Sequence, residues 1–414
     1  MRIAKRICVL ILSLSMLAYS MFLLRKPSFY PNFHTYDAIV ILILASTLII
    51  WVFFQVKKLS KQAKYFRPTQ ILILAFSIMA LIITSCKELT FQYKKQYVLN
   101  APRDQIATYG RHFIVGYDDF NEVKSLIQNQ AIVGIYLNAS NVQGKSKSEI
   151  ALEMAELQSI RKEQNLQPLF ITTDQEGSIV NRLSPPLDKS VALSEFIQNG
   201  HIDTYGLRIA SDNMAKELAS LGVNVNFAPV LDLKVKLESG QEDKSNASQI
   251  NSRSISDNVD QTIEVAKIYA QSLLNNGIIP TLKHFPGLGN TVGDTHVNQV
   301  TINAGGEELE EALQPFLSVA SGNSSWIMFS HAVTQSIDAN NPVSVSASAV
   351  KIVRRDWQLS NPIVTDDFSM LPISERGGGV GKASKEALEN GIDYVLISYD
   401  HDLYYEAMYY LLRL

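Results

Sequence analysis

GIIPTLKHFPGLGNTVGDTH, residues 277–296, is the stretch on which the reading of this chain turns. It opens as a short apolar strand, GIIPTL, and breaks at Lys283-His284 into a loop punctuated by Gly287, Gly289 and Gly293. A lysine, two histidines and an aspartate lie in that loop. A buried strand that ends in ionisable groups and glycines is the edge of a functional site.

Seven companion segments have the same form: HFIVG (112–116), AIVGIYL (131–137), PLFITT (168–173), VNVNFAPVLDL (223–233), SWIMFSH (325–331), PIVTDD (362–367) and DYVLIS (393–398). Helical patterns separate them, at 149–163, 204–221, 259–275, 307–320 and 347–357. Short apolar strands alternating with longer amphipathic helices imply parallel βαβ units. Eight such units over about 310 residues predict an α/β fold, a (β/α)8 TIM-type barrel. A doubly wound open sheet is the alternative, weakened because no Gly-rich dinucleotide loop follows the first strand. In a barrel the C-terminal strand ends share one mouth. Here they read Asp174-Gln175-Glu176-Gly177, Asp232, Lys283-His284, Ser330-His331 and Asp366-Asp367.

Upstream of the barrel the chain changes character. Residues 1–100 carry 13 Lys+Arg against 2 Asp+Glu, whereas the remainder carries 24 against 38. An acidic globular part argues against a nucleic-acid partner. The basic part is intensely apolar, with runs free of Asp, Glu, Lys and Arg at about 7–24, 38–56 and 71–86. The first two approach the roughly 20 residues of a spanning helix and the third is shorter. Three transmembrane helices are expected in residues 1–86, then a polar linker over 87–104 and a catalytic barrel over 105–414. Basic flanks before the first run and between the second and third place those segments in the cytoplasm. Three crossings then put the barrel on the extracytoplasmic side of a bacterial cytoplasmic membrane. Ile83-Thr84-Ser85-Cys86 also reads as a lipidation signal, an alternative anchor. Cys8 and Cys86 are the only cysteines, so the barrel has neither a disulfide framework nor a cysteine metal site.

The strand-end residues suit a retaining glycosidase, which needs an attacking carboxylate and a proton donor. Asp366 follows PIVT and should face the mouth, while its neighbour Asp367 points the other way. Asp294 and His296, at i and i+2, share one side of an extended segment. A carboxylate on one imidazole nitrogen leaves the other free to donate and accept a proton near neutral pH. The loop glycines would let this pair swing over a bound sugar. Asp174, Arg182, Arg253, Lys283 and His284 offer hydrogen bonds to hydroxyl and carbonyl oxygens. A zinc site of His284, Asp294 and His296 is the competing chemical reading.

These residues resemble glycoside hydrolase family 3, the NagZ-type β-N-acetylglucosaminidases. The resemblance is carried in order by TDQEGSIVNR (173–182), NFAPVLDL (226–233), SRS (252–254), KHFPGLGNTVGDTH (283–296) and TDDFSM (365–370). It implies Asp366 as nucleophile, His296 as acid/base with Asp294 as its partner, and Asp174, Arg182, Arg253, Lys283 and His284 as sugar-binding positions. It implies no metal and no organic cofactor, and a carbohydrate substrate: β-linked N-acetylglucosamine ends of peptidoglycan fragments. Hydrolysis, phosphorolysis of the same bond, and a tethered non-catalytic muropeptide sensor all remain open. Four residues depart from the family pattern. Leu288 replaces its second loop histidine, Ser178 replaces a glycine, and Asn251 and Ile255 flank the Arg-Ser pair in place of a glycine and an aromatic.

Overall fold

In a computed structural model the chain forms two compact units, Met1–Asn100 and Ala101–Leu414. Residues 2–22, 24, 33–59, 68–235, 249–289, 291 and 295–414 are described.

The first unit contains helices α1 (Arg2–Phe22), α2 (Phe33–Leu59) and α3 (Pro68–Leu99). Met16, Leu17, Ile41, Ala45, Leu48 and Ala80 make their common core. Ser20 and Thr84 hydrogen-bond across it at 3.0 Å, and Lys87 Nζ donates to Met21 O in the last turn of α1 and to Leu24 O just beyond it. The outward side chains, among them Ile11, Phe54 and Ile82, are apolar and exposed.

Among the described residues two helices, not three, are long and apolar enough to cross a membrane: Tyr36–Gln55 within α2, and α3. The expected order of lengths is reversed. The apolar stretch Ile7–Phe22 is the one that falls short, at about 24 Å of rise against the roughly 30 Å of a hydrocarbon core. α3 is long because its helix does not stop at Cys86. Residues 87–99, read from the sequence as linker, continue it to Leu99.

The second unit is built on eight parallel strands: β1 (Phe113–Gly116), β2 (Gly134–Tyr136), β3 (Phe170–Thr173), β4 (Val225–Asn226), β5 (Ile279–Phe285), β6 (Trp326–Phe329), β7 (Ile363–Thr365) and β8 (Val395–Ile397). They are hydrogen-bonded in the order β7-β6-β5-β4-β3-β2-β1-β8. The remaining seam is joined by a Val364–Tyr394 bridge, with Thr365 N donating to Tyr394 O and Phe368 N to Leu396 O. The result is a nearly closed TIM-type barrel. Most strand residues are buried on both faces, as expected of strands enclosed by a ring of helices.

The helices after successive strands are α5 (Phe120–Gln128), α6 (Lys147–Glu163), α7 (Thr204–Ser220), α8 (Val259–Asn275), α9 (Glu307–Ala320), α10 (Ala347–Lys351), α11 (Gly379–Glu389) and α12 (Asp402–Leu411); α4 (Arg103–Gly110) precedes β1. Polar caps mark several starts. Asp119, Ser146, Asp203 and Asn258 each accept a first-turn N–H.

Inside the barrel, alternation sets the layers. Phe170, Trp326 and Tyr394 meet at ring-centroid distances of 4.7, 5.3 and 4.8 Å and close the interior. Ile114, Tyr136, Phe227, Met328, Val364 and Leu396 belong to the same buried cluster. Two residues beyond Val364 and Leu396 come Asp366 and Ser398, so inward-facing strand positions deliver polar side chains to the mouth.

Candidate active site

A cavity of about 200 Å³ lies at the C-terminal strand ends. Asp174, Arg182, Arg253, Lys283, His284, His296 and Asp366 all line it. The structure thus brings together seven of the eight residues singled out from the sequence. The eighth, Asp294, lies outside the described residues, and with it the Asp294–His296 pair and the suggested zinc set. Among the described residues no group of three His, Cys, Asp or Glu side chains could hold a metal ion.

The floor is an ion-pair network. Lys283 Nζ sits 2.5 Å from both Asp174 Oδ1 and Glu176 Oε1. Arg253 grips Glu176 with two bonds, Nε to Oε2 at 2.8 Å and Nη2 to Oε1 at 2.7 Å. Tyr136 Oη donates to Asp174 Oδ2 at 2.7 Å. Burial would raise the Glu176 pKa, but Arg253 and Lys283 outweigh it and hold the carboxyl well below the usual range. Burial raises Tyr136 far above an ordinary phenol, and neighbouring Asp174 adds to this. Tyr136 therefore stays a donor.

A second carboxylate organises the loop. Asp232 accepts from His284 Nδ1 at 2.7 Å, and its Oδ1 accepts the N–H groups of His284 and Leu288 at 3.2 and 2.7 Å. Arg253 Nη2 approaches His284 Nε2 at 3.4 Å. The Lys283–His284 peptide is cis.

Asp366 is partly exposed, into the cavity. Burial works to raise its pKa. His284, His331 and His296 around it, together with the Asp367 N–H at 2.9 Å, outweigh that and leave it below the ordinary aspartate value. Asp367 faces away. Its carboxylate accepts from Ser369 N, Ser398 N, Ser398 Oγ and Tyr399 N, which ties the end of β7 to the end of β8.

Two loop glycines answer to close packing in this conformation. A Cβ on Gly289 would lie 2.3 Å from Leu233 O, and Gly287 has φ +117°. Both are required for a fixed close course over the barrel rim. Leu288, where the family pattern has histidine, is 1% exposed and packs with Ile250, Ile302, Ala304 and Ala332. An imidazole there would be buried among apolar groups. Ser178 stands at φ +55° in a hairpin turn, a conformation that explains the family's glycine. Asn251 Oδ1 accepts from Val235 N, and Ile255 is buried.

Sequence reasoning placed Glu176 and Asp232 among the strand ends at the mouth without giving them a role, and missed Tyr136 and Tyr399 as site residues. Glu176 and Asp232 stand inside the quoted motifs, and Tyr136 follows from strand alternation. Tyr399, whose ring lies 5.6 Å from the Arg182 guanidinium carbon, has no sequence signal.

The family model described as "Glycosyl hydrolase family 3 N terminal domain" matches residues 94–412. A beta-hexosaminidase of Glaesserella parasuis serovar 5 (strain SH0165) is 30% identical over 292 residues, 70% of this chain and 80% of the relative. A glycoside hydrolase family 3 beta-N-acetylglucosaminidase from Paenibacillus sp. str. FPU-7 superposes with TM-score 0.66 at 26% identity, covering 75% of this chain and 57% of that one. NagZ from Neisseria gonorrhoeae gives TM-score 0.61 at 26% identity, over 70% and 81% of the two chains.

Proposed function

This chain belongs to glycosyl hydrolase family 3 and is a glycoside hydrolase, and from that premise we propose that it is a retaining exo-β-N-acetylglucosaminidase. The observation that carries the reading is the meeting of an ionised Asp366 and His296 in one small cavity floored by fixed cations and acceptors. About 200 Å³ is below the roughly 300 Å³ at which drug-sized pockets begin, and it suits one sugar ring at a chain end.

In the proposed reaction Asp366 attacks the anomeric carbon. The bond to the leaving oxygen breaks as the His296 imidazolium supplies that oxygen with a proton. A water then attacks the glycosyl-aspartate, His296 takes its proton, and Asp366 leaves with overall retention. Asp294 would hold the His296 ring and favour its charged form. Asp174, Arg182, Arg253, Lys283 and His284 would hold the glycon. No cofactor enters the scheme. The matched relative's name supports a hexosamine glycon, and peptidoglycan fragments are the substrate class proposed.

The first unit is proposed as a membrane anchor in which the whole of α1 crosses along with α2 and α3, so that the barrel lies on the extracytoplasmic side. Support comes from its apolar exterior and from the packing of all three helices on one core. The side depends on crossing number. Three crossings put the barrel outside, while two return it to the side of the N-terminus. A reporter fused after Leu414 should be active outside the cytoplasm, and a cytoplasmic signal would reverse the topology.

The decisive enzymology is release of 4-nitrophenol from its β-N-acetylglucosaminide. Asp366→Ala should lose at least about 10⁴-fold in kcat, with azide restoring turnover as a glycosyl azide of inverted configuration. Normal turnover by that variant would remove Asp366 from the role. Mass spectrometry of products from muropeptides in phosphate buffer separates the acceptors: free N-acetylglucosamine for hydrolysis, the sugar 1-phosphate for phosphorolysis. A muropeptide bound but unchanged would indicate a sensor.

A further inference from the structure

The turn that presents Asp366 is held from both sides. Toward β8, the Asp367 carboxylate takes its bonds from Ser398 and Tyr399, and Phe368 N donates to Leu396 O. Toward β6, Asp366 N donates to Phe329 O at 2.9 Å. There is also a side-chain anchor on that side: His331, two residues beyond the end of β6, places Nε2 2.8 Å from Asp367 O.

His331 is 1% exposed and does not line the cavity. Its Nδ1 lies 2.8 Å from Ser344 Oγ. A carbonyl oxygen can only accept, so Nε2 carries the ring proton and Nδ1 accepts from the serine hydroxyl. Ser344 is itself fully buried and donates its own N–H to Ser330 O at 2.9 Å. The ring of Phe368 lies 5.7 Å away, centroid to centroid. The imidazole is therefore locked in one tautomer and one orientation, with a single N–H aimed at the peptide that follows Asp366–Asp367.

We propose that His331 is a positioning residue for the nucleophile: its Nε2–H pins the Asp367 carbonyl so that the turn cannot relax toward β8 and carry the Asp366 carboxylate off line. The link from pin to carboxylate is short, because Asp367 N–H donates to Asp366 Oδ1. Met370 N also donates to the Asp367 carbonyl, but from within the turn; without the pin, the Asp367 side-chain bonds that reach a neighbouring strand end all run to β8. The inference rests on the assignment of Asp366 above.

The test compares His331→Leu, which removes the donor, with His331→Gln, whose amide nitrogen stands near the position of Nε2 and restores it. Full-length protein in detergent is assayed on 4-nitrophenyl and 2,4-dinitrophenyl β-N-acetylglucosaminides. A displacement of about 1 Å at a reacting group costs on the order of 100-fold. The Leu variant should therefore lose about 100-fold in kcat, with KM within about threefold of wild type. The loss should be similar on both substrates, because displacement of either leaving group needs the Asp366 carboxylate in line, whereas only the poorer leaving group depends on proton donation. The Gln variant should recover to within about tenfold of wild type.

Should the Leu variant fail to fold, Ser344→Ala replaces it. That variant frees the ring to turn and should lower kcat several-fold without moving KM. Wild-type kcat in the Leu variant, or no recovery in a folded Gln variant, overturns the proposal. So does a loss that disappears with the dinitrophenyl leaving group, which would put His331 on proton transfer through His296. Wild-type protein inactive on both substrates overturns the enzymatic reading and this inference with it. Active wild type with an unaffected Leu variant removes this inference alone.

Discussion

Replacing Glu176 by Gln leaves the shape of the floor nearly unchanged and removes one buried charge. Glu176 neutralises Lys283 at 2.5 Å and Arg253 through two bonds of 2.7 and 2.8 Å, and the three side chains are 5, 3 and 10% exposed. Solvent therefore screens little of the interaction. Breaking a buried pair by removing one partner costs about 3–5 kcal/mol, because the other charge stays buried. Two features of the site argue for the lower end. The Gln carbonyl still accepts from one cation, and Lys283 keeps Asp174. The expected loss is about 3 kcal/mol.

For a unit of about 310 residues, an unfolding entropy of about 2.1 cal/mol/K per residue converts that into a Tm drop of about 5 °C. The folded-state pKa of Glu176 is depressed. Its contribution is therefore fully present above the unfolded carboxylate value of about 4.3, and it is lost as pH falls toward the folded one. Thermal unfolding of full-length wild type and variant, followed by intrinsic fluorescence from pH 7 to pH 3.5, reads both effects. The Tm gap should be widest at neutral pH and should narrow below about pH 4. A gap under about 1 °C at pH 7, or one that widens on acidification, would refute the view of Glu176 as the charge that holds the floor together.

Other expectations follow from the same geometry. Asp232→Asn should raise KM by at least about tenfold while lowering kcat less, because it loosens His284 and the Leu288 N–H; an unchanged KM would separate His284 from the sugar. Gly289→Ala should lower activity sharply, since its methyl would collide with Leu233 O, and a Gly289→Ala enzyme of wild-type activity would show that the rim yields freely. Because Asp366 is held below the ordinary aspartate value of about 3.9, the acid limb of kcat/KM that it controls should lie below about pH 4. An acid limb at pH 5–6 that persists when His296 is replaced would contradict this.

Much of the architecture can be read from local chemistry. Each of the eight apolar runs became a strand, because β-branched and aromatic residues buried on both faces fit a sheet enclosed by helices. The parity of Asp366 and Asp367 was also legible, since neighbouring strand residues face opposite sides. The N-terminal region was harder to read. Hydropathy registers apolar runs but not helix ends, so it overrated the run at 7–24 and missed the continuation of α3 through the polar residues after Cys86. Glycine in the 283–296 loop was equally ambiguous. The same residue serves a hinge or a tight passage, and only the neighbour at Leu233 O decides for Gly289.

The sequence by itself determined the strand-helix alternation, the polar strand ends and the identity of the residues that meet at the mouth, because backbone periodicity and residue chemistry are local properties. Tertiary structure decided their partners. Glu176 between Lys283 and Arg253, Asp232 on His284, and His331 on the Asp367 carbonyl are all contacts between segments brought together only by closing the barrel. The ionisation of Asp366 belongs with them. It is set by three histidines from separate segments, His284 on β5, His331 beyond β6 and His296, and electrostatic coupling depends on distance in space rather than along the chain.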